Sequence, residues 1–249
     1  MTDLIETGQP VIEIRNLKKS FGEQKVLVDI SLKLFNNENL VVLGKSGSGK
    51  SVLIKCIVRL LQSDGGSISA LGQEVRSLNT EQLGKLRQKI GFLFQSGALY
   101  DSMTVRENLE FPLKRTKKEM NSSDINNKIK EVLEQVGLSD TPDKLPSQLS
   151  GGMRKRISLA RTLIVDPLIM LYDEPTTGLD PVTSKEISSL IKDIQNRYKT
   201  SSLIITHDIA CARLTADRVM MLKEGSVYKE GKPEDFEKSS DELIQSFFQ

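Results

Sequence analysis

The chain has 249 residues, 38% hydrophobic and 27% charged, with a net charge of +2 from 35 basic and 33 acidic residues. That length buries a substantial core in one large or two modest domains, and the near-balanced charge leaves no nucleic-acid footprint. No apolar run approaches the roughly 18 residues that a membrane-crossing helix needs, and the acidic, polar start MTDLIETGQP is unlike a secretory leader.

Strand signals open the sequence at residues 11–17 and 25–35 and predict an antiparallel flap. Between them Phe21 precedes Gly22 in a turn; its ring either stacks on an adenine or joins the core. The apolar run Leu40, Val41, Val42, Leu43 then leads into Gly44, Lys45, Ser46, Gly47, Ser48, Gly49, Lys50 and Ser51. This fits G-x-x-x-x-G-K-[ST], in which glycines free backbone N–H groups to wrap phosphates and the next helix turns its positive end toward them. From Val52 onward VLIKCIVRLL supplies the broad apolar face of a helix buried on a sheet. Lys50 is expected at the β and γ phosphates of ATP, and the Ser51 hydroxyl on Mg²⁺.

Further on, the pattern predicts a strand over 66–72, a short helix over 80–88 and a strand over 89–94 that ends at Gln95. From that position an amide reaches the metal and the lytic water. Residues from about 96 to 165 read as a helical insertion: a helix over 105–113 cut by Pro112, an exposed loop over 114–124, and a helix ending near Gly137 with a serine or aspartate cap. The sequon at Asn121 has no role in a chain that meets no glycosylation machinery. Residues 149–153 read LSGGM and cap a helix over 153–165, so Ser150, Gly151 and Gly152 offer a hydroxyl and amides as a second anion site.

A strand over 168–172 runs into Asp173 and Glu174. Asp173 is expected beside the phosphate loop as a Mg²⁺ ligand, and Glu174 as the base that polarises water, a role worth roughly 10²- to 10⁴-fold in rate. After a helix over 182–198 and a strand over 201–206 comes His207, the only histidine, placed to donate to the γ-phosphate at the ligand-binding edge of a parallel sheet. A short helix near 211–216, a hairpin over 218–231 and a C-terminal amphipathic helix in DELIQSFFQ, packed on its own chain or on a partner, complete the reading. Cys56 and Cys211 lack metal spacing and read as buried thiols of a reducing cytosol.

Alternating strands and helices predict a parallel sheet between helical layers. One nucleotide does not need two anion sites on different lobes. A head-to-tail pair resolves this, with each phosphate loop facing the other copy's Ser150, Gly151 and Gly152, and Asp180 at the seam.

With GKSGSGKS, Gln95, LSGGM, LIMLYDE, GLDP and His207 in this order, residues 11–245 resemble the ATP-binding subunit of ABC transporters. The resemblance implies an α/β P-loop NTPase fold with a RecA-like core, an N-terminal antiparallel β-subdomain and an inserted helical subdomain. It also implies an ATP-sandwich dimer at the cytoplasmic face of the inner membrane, with an integral permease docked in a groove beside Gln95. Val52 where threonine is usual, Met153 where many importers have glutamine, and the runs LYDEPTTGLDP and SGALYDSMTVRENLEFPL are similar to ATPases of lipid-transport systems. Those systems pair a permease with an MCE-domain lipid-binding protein, which implies phospholipid movement between envelope membranes. An importer ATPase for a polar solute such as an amino acid is the alternative. Phe21, where tyrosine is common, keeps the ring and loses a hydroxyl.

Overall fold

A computed structural model describes residues 8–117 and 119–248; the polar start at 1–7, Lys118 and Gln249 lie outside the described residues. Alternating apolar positions fold the start of the chain into a hairpin of β1 (Pro10–Phe21) and β2 (Gln24–Phe35), with Ile14 opposite Leu32 and Leu17 opposite Ile30. After β3 (Asn39–Leu43) and helix α1 (Lys50–Ile57), β4 (Gly65–Ala70) joins β1 antiparallel and β5 (Gln73–Glu74) joins β4. This is the predicted flap, with two more strands than the first two segments supply.

The parallel strands are mostly apolar and buried because both faces are covered, as a parallel sheet between helices requires. β3 lies between β8 (Ser201–Thr206) and β9 (Arg218–Lys223), and β7 (Ile169–Asp173) lies between β8 and β6 (Ile90–Leu93), all parallel. β10 (Ser226–Gly231) returns antiparallel to β9 and meets β2 at Ser226 and Asp29, so the full order is β5-β4-β1-β2-β10-β9-β3-β8-β7-β6. Side chains alternate across the sheet. Leu40 and Val42 join the core under the flap, and Val41 and Leu43 join the core shared with the later helices.

Helix α2 (Thr80–Gln88) stands where predicted, started by a reciprocal cap between Asn79 and Gln82. The next helices correct three expectations. α3 (Val105–Thr116) is not cut by Pro112 but runs through it. Proline cannot donate to the carbonyl one turn back, but Leu109 and Leu113 are fully buried on either side, and Thr116 donates to the Pro112 carbonyl at 2.8 Å. Burial of that face outweighs the missing bond. The expected loop over 114–124 shrinks accordingly, since α3 takes its first residues and α4 (Ser122–Gln135) its last. Its cap is Asn121, which accepts from the Asp124 amide at 2.9 Å, rather than the serine or aspartate that follows. Gly137, at φ 68, ends the helix as expected, with the Leu138 amide donating to the Leu133 carbonyl.

α5 (Gly151–Leu163) starts and ends two residues before the predicted helix. Beyond β7 come α6 (Pro181–Tyr198), α7 (Ile209–Thr215), α8 (Pro233–Glu237) and α9 (Glu242–Phe248). The last helix packs on its own chain: Ile244 is fully buried, and Leu243 and Phe247 rest on the shared core. Ile244→Ala is therefore expected to lower stability by about 2–5 kcal/mol, read from the urea midpoint; an unchanged midpoint would mean α9 is not docked. Both cysteines are buried, and burial pushes each thiol up to about 11. Among the described residues no helix is long and apolar enough to cross a membrane.

Candidate functional site

A cleft of about 840 Å³ opens where β3, β6, β7 and β8 end. Its floor is the loop between β3 and α1. Gly47 and Gly49 hold φ of 82° and 96°, which side chains rarely adopt. A Cβ on Gly49 would stand 2.8 Å from the Val26 carbonyl, and one on Gly44 2.5 Å from the Ser48 hydroxyl. The loop is thus a bare backbone cradle at the start of a helix, a geometry that suits anionic oxygens.

Lys50 folds back over this cradle. Its ammonium donates to the Gly44 and Lys45 carbonyls at 2.7 and 3.2 Å and lies 3.7 Å from the Glu174 carboxylate. Burial holds the lysine below its usual range, while Glu174 and Asp173 pull it back up. Ser51 donates to Asp173 Oδ1 at 2.7 Å, so a hydroxyl and a carboxylate meet beside the loop. Such hard oxygen donors fit Mg²⁺.

Glu174 sits at φ 51 and is 8% exposed. Its Oε2 meets His207 Nδ1 at 2.8 Å and accepts from Thr177 Oγ1 and the His207 amide, each at 3.3 Å. The His207 side chain is 59% exposed, so the ring stands at the mouth of the cleft while its Nδ1 edge is held by the carboxylate. Gln95 and Val52 complete the wall.

The structure thus brings together Lys45, Ser46, Gly47, Gly49, Lys50, Ser51, Val52, Gln95, Glu174 and His207, with Asp173 joined through Ser51. Phe21 is elsewhere. It ends β1 with its ring 47% exposed and the Lys19 ammonium 5.3 Å from its centroid, which removes the core alternative. Gln24 and Val26 of β2, which periodicity did not single out, line the cleft instead.

Ser150, Gly151, Gly152 and Asp180 form a second corner outside this cleft. Ser150 caps α5 by accepting from the Met153 amide at 3.2 Å. A Cβ on Gly152 would come within 2.5 Å of Thr183 Cγ2, and one on Gly151 within 3.6 Å of Leu179. Asp180 caps α6, accepting from the Val182 and Thr183 amides at 3.0 Å each and from Thr183 Oγ1 at 2.6 Å. Two helix starts therefore pack against each other at this corner.

A buried charge beside the cleft also escaped sequence reasoning. Lys155, in the second turn of α5, is only 5% exposed and donates to the Gln95 carbonyl at 2.8 Å. Burial brings it down to about 8, against the pull of Asp173 and Glu174. Within RKR it reads as one more surface charge.

Residues 27–177 match the family described as ABC transporter. The chain is 38% identical over 225 residues to the methionine import ATP-binding protein MetN of Brucella abortus, covering 90% of this chain and 60% of that protein. It is 40% identical over 237 residues to the probable ribonucleotide transport ATP-binding protein mkl of Mycobacterium leprae, covering 95% and 68%. Protein TRIGALACTOSYLDIACYLGLYCEROL 3 of Arabidopsis thaliana is 37% identical over 254 residues, covering 95% and 73%. The dimeric, post-hydrolysis structure of the ATP-binding cassette MJ0796 with ADP and Pi superposes with a TM-score of 0.81 at 32% identity, covering 89% and 98%. The chain thus spans about 60% of the length of the methionine-import relatives. Cassettes of this kind use ATP with Mg²⁺, and the bare cradle, the folded-back lysine and the paired hydroxyl and carboxylate fit both. The chain belongs to the ABC transporter family, as one of its ATP-hydrolysing cassettes.

Proposed function

We propose that residues 11–245 act as one half of a head-to-tail pair that binds and hydrolyses ATP to drive a separate integral membrane permease at the cytoplasmic face of the inner membrane. The observation that carries the pairing is the separation of two anion-binding corners within one chain, the Lys50 cleft and the Gly151–Gly152–Asp180 corner. The dimeric state of the MJ0796 cassette supports the same arrangement. The helical insertion, approximately 96–165, carries the second corner into the partner's cleft.

In this reading the loop amides and Lys50 bind the phosphates, and Phe21 with Gln24 and Val26 meets the base. Ser51, Asp173 and Gln95 would hold Mg²⁺, which would neutralise phosphate charge. Glu174 takes a proton from the attacking water at the oxygen that His207 orients. Ser150, Gly151 and Gly152 close the partner's site, and Asp180 lies at the seam.

Ser150→Arg puts a long cation at the corner without touching the cleft. Turnover is expected to fall by about 10²-fold or more, as when a partner's transition-state contact is removed. ATP binding by the isolated chain stays unchanged. Normal turnover in that variant overturns the shared site.

For the cargo we infer phospholipid moved between envelope membranes, with an MCE-domain protein as further partner. Val52, Met153 and the run after Gln95 support this, together with the lipid in the name of the Arabidopsis relative. The second reading, an importer of a polar solute, draws on the 38% identity to a methionine import protein. Purifying the intact complex decides: a permease with bound phospholipid supports the first, and a solute receptor overturns it.

A further inference from the structure

Helix α5 begins at Gly151 and lies along the loop that follows Gln95. Two of its side chains bond to that loop, and a third faces it. Lys155 donates to the Gln95 carbonyl at 2.8 Å, and Arg161 donates to the Ala98 and Gly97 carbonyls at 2.6 and 3.4 Å. Between them Gly97, at φ 77, rests on Ser158, where a Cβ would come within 2.6 Å of the hydroxyl oxygen. Positions three apart share one helix face, so the loop is clamped along two turns.

Lys155 differs from the other two because it also turns toward the catalytic strand. Its ammonium lies 3.5 Å from the Glu174 carbonyl, near the Asp173 and Glu174 carboxylates. A 5% exposed ammonium is costly to desolvate unless its donors are used and opposite charge is close. Both conditions hold here. An apolar side chain would fill the same space at less cost, but it would leave the Gln95 carbonyl without this donor.

We propose that Lys155 is a positioning residue whose ammonium ties the Gln95 loop to the strand end bearing Glu174. Loop and carboxylate then keep a set separation while α5, with Gly151 and Gly152 at its head, moves as one body. The proposal rests on the roles given above to Gln95 and Glu174. It acts through main-chain carbonyls, so its loss shifts geometry without removing either side chain.

The test compares the full chain with Lys155→Met, which keeps length and burial, and Lys155→Gln, which restores a shorter neutral donor. In nucleotide-free protein, amide exchange over residues 95–98 is expected to quicken about tenfold or more in Lys155→Met, with β3 and α1 still protected. In turnover, kcat falls roughly 10- to 100-fold while KM for ATP stays within about twofold, and more Mg²⁺ is needed for half-maximal rate. Lys155→Gln lies between Met and wild type in each measurement. Unchanged exchange over 95–98 in Lys155→Met overturns the tether. So does exchange that rises throughout the chain with Lys155→Gln no better than Lys155→Met, because the lysine is then only a packing residue. A wild-type chain that hydrolyses no ATP would sink the functional reading instead, and the exchange comparison would still decide the tether.

Discussion

Glu174→Gln is expected to keep ATP and lose hydrolysis by about two to four orders of magnitude, with ATP-bound pairs accumulating. The substitution is nearly isosteric, so the φ of 51 at this position and the contact with His207 Nδ1 can both persist through the amide oxygen. What disappears is the basic oxygen that takes the proton of water. The loss of one negative charge 3.7 Å from Lys50 also frees that lysine for the phosphates, so affinity holds or rises. Phosphate release and the elution volume with ATP measure the two halves of the prediction. Turnover at the wild-type rate removes Glu174 from its role.

Lys50→Ala attacks binding rather than chemistry. The side chain supplies a cation folded back over the cradle, and its two carbonyl contacts aim it before any ligand arrives. Truncating one member of a buried, hydrogen-bonded charge pair costs about 2–5 kcal/mol. At about 1.4 kcal/mol per decade this is roughly 30- to 3000-fold in Kd, enough to abolish binding at micromolar ATP. Titration of a fluorescent ATP analogue without Mg²⁺ isolates the effect from the Ser51–Asp173 pair. Retained affinity would mean that the cradle binds through its amides alone.

Much of the fold was legible because its signals are local. The runs at 40–43, 169–172 and 203–205 are apolar without alternation, which marks buried parallel strands, and they lead into Gly44, Asp173 and Thr206 at the same edge. The glycines of the cradle and Gly137 are dictated by backbone angles that neighbours in sequence impose. Other features depend on partners far along the chain. α3 continues through Pro112 because a core assembled from several later elements receives Leu109 and Leu113, and α9 docks because Ile244 finds that same core. Phe21 was placed by a glycine turn, whereas Gln24 and Val26, which line the cleft, come from the returning strand of the hairpin, whose register with β1 no local signal gives. Lys155 was invisible for a similar reason. Its partners are 60 and 19 residues away, and nothing in the spelling of RKR distinguishes a buried ammonium from the two arginines beside it.

The strand order also acts as a ruler. The cradle hangs from β3 and the acidic pair from β7, with β8 and His207 between them, so two inter-strand steps, ~10 Å together, separate the backbones that grip a nucleotide from those that attack it. Sheet spacing hardly varies, whereas surface loops lengthen and drift. The jaw width of this machine is therefore inherited from hydrogen-bond geometry, and evolution is free to rewrite what attaches outside without recalibrating it.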